Sequence, residues 1–214
     1  RNLTVKTPEH PIFLESVNYI RSKIGITGLD KVRQAIVERM IHSSGDFSVQ
    51  SSLRFSPSAC DEAINALQNG AKIYTDTYMA KAAVTPVAKR TLNTDVRCIL
   101  GMAPESVDNI STTRSAIGMR RMWLDFEKTD GFLSAPIVVI GSAPTALMTL
   151  LDLIDQGSKM PSLIIGMPVG FIGVSESKNR LLNSDCSYIV LEGSKGGASL
   201  AAASINALLR SAVK

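Results

Sequence analysis

The chain has 214 residues, of which 45% are apolar and 20% charged. That composition suits one globular α/β domain over residues 1–214 and excludes a disordered or fibrous chain. The net charge of +4 comes from scattered Lys and Arg, and aromatics make up 5%, so no basic stripe with stacking aromatics marks a nucleic-acid surface.

Residues 9–23 and 28–42 carry apolar residues at three- and four-residue spacings and are expected to form amphipathic helices. His10, just before a proline, reads as a surface or capping residue. The second helix runs out in ERMIHSSGDF (38–47), where the apolar pattern gives way to small polar residues. His42, one of two histidines, stands at that helix end, where the dipole favours its charged form. Glu38, four residues earlier, shares its face. A packing role and an acid–base role facing a ligand are equally compatible with this position. A third helix is expected over 56–69, with Ser56 as N-cap, Pro57 at the first helical position and Gly70 just past the end.

Beyond residue 70 the pattern changes. KIYTD (72–76), VRCIL (96–100), PIVVIG (136–141), SLIIG (162–166) and SYIVLEG (187–193) are short apolar runs rich in β-branched residues. Helical patterns over 112–127, 143–156, 175–183 and 197–213 lie between or after them. Such alternation predicts a parallel sheet covered on both faces. The expected fold is a flavodoxin-like three-layer α/β/α sandwich, with a five-stranded parallel sheet and extra N-terminal helices. The most apolar stretch, residues 136–154, is interrupted by Gly141, Ser142 and Pro144; it reads as strand, loop and helix rather than a membrane span. The polar RNLTVKTPEH has no apolar core of a signal peptide. Cys60, Cys98 and Cys186 are far apart and lack metal-binding spacing, which suits a reducing compartment and a cytoplasmic location.

In open α/β sheets, ligands lie beyond the carboxyl ends of the strands. The segments there are TYMAKAAVT, GMAPES, SAPTA, MPVGFIGVSESK and SKGGAS, rich in small residues and leading into helix N-termini that can hold carboxylates or phosphates. Within them Gly170 and Gly173 permit unusual backbone geometry, Ser175 is a natural N-cap, Lys178 can face an anion or water, and Gly196 lies in a Gly-rich turn. An anion cradle and ordinary turn chemistry both fit. GxxxxGK[ST], a complete GxGxxG, GxSxG, HExxH and zinc spacings are all missing.

Taken in order, ERMIHSSGDF, TDTYMAKAAVT, NISTTRSA, GSAPTAL, LIIGMPVGFIGVSESK and GSKGGASLAAASINAL resemble the precorrin-8X methylmutases (precorrin isomerases) of vitamin B12 synthesis, over about residues 9–210. The resemblance implies an isomerase that moves a methyl group from C-11 to C-12 of a tetrapyrrole, giving hydrogenobyrinate or, on the cobalt-containing route, cobyrinate. It implies no cofactor, and a homodimer with the ligand near the subunit interface. It assigns acid–base catalysis to His42 and ligand contacts to Ser16, Arg39, Thr85 and Arg114. Ser43 beside His42, with Gly170, Ser175, Lys178 and Gly196 in the loops, completes the candidate substrate-binding set. Met79, Met102, Met167, Val169 and Phe171 are candidates for an apolar floor under the ring. Two positions depart from the family pattern: Ser142 stands where Asn is usual, and Ala83 where Gly is usual. A corrinoid carrier without turnover and a nucleotide-binding module are the alternatives.

Overall fold

The computed structural model describes residues 10–108, 111–130 and 133–213. The chain begins with helices α1 (Pro11–Ile24) and α2 (Lys31–Ser44), a short helical turn α3 (Val49–Ser52), strand β1 (Leu53–Phe55) and α4 (Ala59–Gln68). The alternating part follows: β2 (Ile73–Thr75), α5 (Tyr78–Arg90), β3 (Val96–Cys98), α6 (Arg114–Thr129), β4 (Ile137–Ile140), α7 (Pro144–Asp155), β5 (Leu163–Gly166), α8 (Val174–Leu182), β6 (Tyr188–Leu191) and α9 (Ala198–Ala212). The expected start of α1 at residue 9 lies outside the described residues.

The sheet has six strands in the order β1-β6-β5-β4-β2-β3. Strands β2 to β6 are mutually parallel, whereas β1 pairs antiparallel with β6. This corrects the expectation of a purely parallel five-stranded sheet. The five expected strands are present, and β1 is added at one edge by pairing Leu53, Arg54 and Phe55 with Leu191, Val190 and Ile189, a contact that Ser56 extends. The Ser56 backbone donates to Tyr188 O at 3.0 Å, and its hydroxyl accepts from Tyr188 N at 2.9 Å. Ser56 is therefore not the N-cap of α4; that position falls to Ser58. Both edge strands are three residues long and carry an arginine in an ion pair, Arg54 with Glu192 and Arg97 with Asp95.

Side chains alternate across a strand, and here the alternation separates two cores. Ile73, Ile137, Val139, Leu163, Ile165, Ile189 and Leu191 face one side, where they pack with α1, α2, α4, α5 and α9. Tyr74, Val138, Ile140, Ile164 and Val190 face the other, against α6, α7 and α8. Trp123 is fully buried in that second layer and spends its indole N–H on Lys159 O at 3.1 Å.

Helix boundaries follow local chemistry. His10 caps α1, its Nδ1 accepting from Ile12 N, and Asp30 caps α2 by accepting from Val32 N and Arg33 N. Gly45 ends α2 in the left-handed conformation at φ 66°. Segment 78–90, read from sequence as part of a loop, is a 13-residue helix, capped by Thr77 and containing Pro86.

Candidate active site

The start of α1, the end of α2, the middle of α5 and the length of α9 enclose a groove of about 250 Å³ on the first helical layer, lined among others by Phe13, Arg39, His42 and Ser43. Arg39 and His42 are three residues apart on α2 and so share a face. Phe13 of α1 packs on both: its ring meets the His42 imidazole edge-on at 5.0 Å between centroids and lies 4.5 Å from the Arg39 guanidinium carbon. His42 is solvent-exposed at the groove mouth. Its helix neighbour Glu38 is instead buried, held by Arg21 at 2.7 Å and by Gln34 at 2.8 Å. Glu38 is thus occupied in packing α1 on α2. Asp46 is occupied as well: the Lys195 ammonium at 2.6 Å and the Ser48 hydroxyl and N–H hold its carboxyl down at about 2.

The opposite wall is α9. Ser199, Ala202, Ala203, Asn206 and Arg210 line the groove and fall on one helical stripe. Sequence reading missed this contribution. The available signal was a stripe of polar residues at 199, 206 and 210 on a helix otherwise almost wholly buried. Asn206 donates from Nδ2 to Ala83 O at 3.1 Å, tying α9 to α5 across the groove floor. Ala83, one of the two positions departing from the family pattern, lies in the groove lining.

At the carboxyl edge of the sheet, one anion position is filled from within. Strand order reverses between β2 and β4, the place where ligands commonly enter such sheets. There Asp76, fully buried, accepts the N–H groups of Gly141, Ser142 and Ala143 at 3.1, 2.7 and 2.8 Å. The anion position at the N-terminus of α7 is thus filled by the chain's own carboxylate.

Several expected ligand contacts are placed elsewhere. Lys178 is buried, with Nζ donating to Gly193 O at 2.7 Å and Lys195 O at 2.8 Å, so it clamps a loop rather than facing an anion. A Cβ on Gly196 would lie 2.1 Å from Met167 O, and the Gly170 N–H donates to Ser194 O at 3.0 Å. These glycines let the loops after β5 and β6 pack together. Ser175 is exposed in the first turn of α8, whose N-cap is Gly173 at φ 71°. Thr85 turns its hydroxyl back to Lys81 O at 2.7 Å, two residues out of phase with the groove-lining Ala83 and Val87. Arg114 starts α6, across the sheet from the groove, and its Nε donates to Pro104 O at 2.8 Å. Ser16 stands one turn beyond Phe13 on α1 and does not line the groove. Of the apolar floor candidates Met167 is fully buried, whereas Met79, Met102, Val169 and Phe171 are exposed at the carboxyl edge.

Burial without a counter-charge lowers the Lys178 ammonium to about 8, against an ordinary 10.5. Between those values the unfolded chain keeps a proton that the folded protein has released. Stability therefore gains from Lys178 as pH rises from about 8 to 10.5. Urea midpoints of the parent, compared with those of Lys178→Met over that window, should show the gain in the parent alone.

Among the described residues no helix is long and apolar enough to cross a membrane, and no group of three or more His, Cys, Asp or Glu is placed to hold a metal. The family model described as precorrin-8X methylmutase matches residues 11–211. The chain belongs to the precorrin-8X methylmutase family. It is 37% identical to the cobalt-precorrin-8 methylmutase of Synechocystis sp., over 94% of this chain and 95% of the relative. It is 36% identical to the precorrin-8X methylmutase of Pseudomonas aeruginosa, over 92% and 93%. The solved structure of the Thermus thermophilus precorrin-8X methylmutase superposes with a TM-score of 0.82 at 35% identity, covering 94% of this chain and 95% of that one. In this chain His42, Arg39, Arg210 and the apolar residues Phe13, Ala83, Val87, Ala202 and Ala203 line the groove between α2 and α9.

Proposed function

We propose that this chain is an isomerase that moves a methyl group from C-11 to C-12 of precorrin-8X, or of its cobalt-containing form, giving hydrogenobyrinate or cobyrinate. The observation that carries the reading is the family match across residues 11–211, together with a groove that puts His42 beside Arg39. The reaction is internal: one C–CH₃ bond breaks, another forms, and no atom is gained or lost. What the protein can add is a proton, or a strong hydrogen bond, to a ring nitrogen as charge redistributes, followed by its recovery. Histidine suits that task near neutral pH, and such catalysis is typically worth ~10²–10⁴ in rate. Arg39 and Arg210 line the groove, and guanidinium groups match carboxylates such as acetate and propionate arms in geometry. No cofactor takes part in this reading.

The chain acts as a homodimer in the cytoplasm, with the site near the subunit interface. A groove of about 250 Å³ falls below the ~300–1,000 Å³ usual for drug-sized ligands, and a corrin with its acid arms exceeds that size class. A second copy would supply the missing wall. Exposed apolar side chains at Ile12, Tyr19, Ile26, Phe171 and Ile172 support it. The order of the five parallel strands supports a flavodoxin-like core.

Purified protein should convert precorrin-8X or its cobalt form, followed by absorbance, and elute with a two-copy mass by light scattering. Hydrogenobyrinate should bind and colour the protein, less tightly as salt screens the arginines. Binding without conversion of either substrate would turn the assignment into that of a corrinoid carrier, and failure to bind at all would remove both.

A further inference from the structure

The motif running from Val169 to Lys178 contributes no side chain to the groove, yet its last residue is an ammonium buried to 1% exposure. Lys178 spends its donors on the carbonyls of Gly193 and Lys195 in the loop between β6 and α9. The same loop is held by two backbone bonds, Gly170 N to Ser194 O and Gly197 N to Met167 O, both at 3.0 Å. At Gly196 it lies against Met167 too closely for any side chain.

Two paths lead from this loop to the groove. Along the chain, Gly197 opens α9, and Ser199 in its first turn lines the groove wall. Through space, Lys195 donates from Nζ to Asp46 Oδ2 at 2.6 Å and Ser48 Oγ at 2.7 Å. Asp46 and Ser48 form the turn that follows α2: Asp46 N donates to the Ser44 hydroxyl at 3.2 Å, and Ser48 N to Asp46 Oδ1 at 2.9 Å. The last turn of α2 carries His42 and Ser43. One loop, pinned from beneath by Lys178, thus sets both walls between which the imidazole sits.

We propose that Lys178 is a positioning residue for His42: by clamping the 193–197 loop it fixes, through Lys195 and the Asp46–Ser48 turn, where the imidazole stands relative to α9. This rests on the reading of His42 as the acid–base group. An ammonium serves here because charge-assisted donors hold carbonyls at short, directed distances. Burying it with carbonyl oxygens as its hydrogen-bond partners is costly, a cost that a neutral, apolar side chain packing α8 would not carry.

The test measures kcat and hydrogenobyrinate affinity for Lys178→Met, Lys195→Met and the double variant, in the parent and in His42→Asn. Misplacing a catalytic group by about 1 Å can cost ~10²-fold. Lys178→Met and Lys195→Met should each lower kcat by ~10–100-fold while the product dissociation constant changes less than ~3-fold. The double variant should be no worse than the poorer single one, since both cut the same chain of contacts. In His42→Asn, Lys178→Met should leave the residual rate unchanged. A Lys178→Met enzyme with lower melting temperature but parental kcat would overturn the proposal, as would an equal rate loss in the His42→Asn background. If Lys178→Met does not fold, the exposed link Lys195→Met carries the same comparison. Parental turnover by His42→Asn would instead sink the reading of His42, a separate outcome from failure at Lys178.

Discussion

His42→Asn should fold, assemble and bind hydrogenobyrinate as the parent does, while turnover falls by ~10²–10⁴. Folding should survive because the imidazole is exposed at a helix end, where its ring contact is the edge of Phe13. Exposed surface changes of this kind usually fall within about 0.5 kcal/mol. Among the described residues, the acid and imidazole side chains nearest in sequence or on the adjoining helix are otherwise engaged. Glu38 is buried in its pairing with Arg21, Asp46 is held ionised by Lys195, and His10 is spent capping α1. Turnover of precorrin-8X followed by absorbance, alongside product binding and thermal melting, separates the cases. Near-parental turnover would remove the acid–base role, and a variant that fails to fold would return His42 to packing.

Asp76→Ala should lower stability by ~3–5 kcal/mol, the scale of breaking a buried charged hydrogen-bond set. Three N–H groups at the start of α7 converge on one oxygen of this carboxylate, and α7 has no side-chain cap of its own. Deleting the acceptor leaves those donors unpaired, with the Gly141 and Ala143 N–H groups buried. Asp76→Asn keeps an oxygen for them and should cost less than half as much. The sign of the pH effect also follows. Burial raises the Asp76 carboxyl above its ordinary value, against the lowering influence of its backbone donors. The folded protein therefore holds this proton more tightly than the unfolded chain. The contribution is complete below the unfolded value of 3.8 and declines as pH rises through the folded one. That decline should vanish in Asp76→Asn. Urea midpoints at unchanged slope read both effects, and an Asp76→Ala protein as stable as the parent would show that the three bonds contribute nothing.

Much of the architecture is legible along the chain because buried parallel strands advertise themselves. Runs such as IVVI and LIIG have β-branched side chains on both faces, and Gly, Pro or Ser bounds each run. Two elements are hidden for opposite reasons. Helix α5 carries Val84, Thr85, Pro86 and Val87 in succession, all poor helix formers. It persists because Val84, Val87 and Ala88 are buried in the first core while the Pro86 ring stays exposed. Strand β1 is three residues long, and its identity comes from its antiparallel partners Ile189, Val190 and Leu191, far along the chain, with Ser56 continuing the pairing to the Tyr188 backbone. The same Ser-Pro that mimics a helix start is in fact the end of that pairing.

The site is legible in part for a related reason. His42, Arg39 and Ser43 are neighbours in sequence and remain neighbours in the groove. The wall facing them comes from α9, more than 150 residues later, and no local pattern says which helix lies opposite. Lysine and glycine in Gly-rich loops read as anion ligands because the same residues serve both tasks. Lys178 is set apart by its depth, and Gly196 by its approach to Met167. Both are tertiary facts.

The short sheet edges bear on how copies of this protein can and cannot meet. An unpaired strand is a template on which another molecule can add a strand, and natural proteins blunt it with short length and charge. Here each margin offers three residues and a paired arginine, Arg54 with Glu192 on one side and Arg97 with Asp95 on the other. Strand-by-strand polymerisation from one molecule to the next is thereby discouraged at both ends. The proposed dimer is then left to helical surfaces, where exposed Ile12 and Tyr19 lie on the same helix as the groove-lining Phe13.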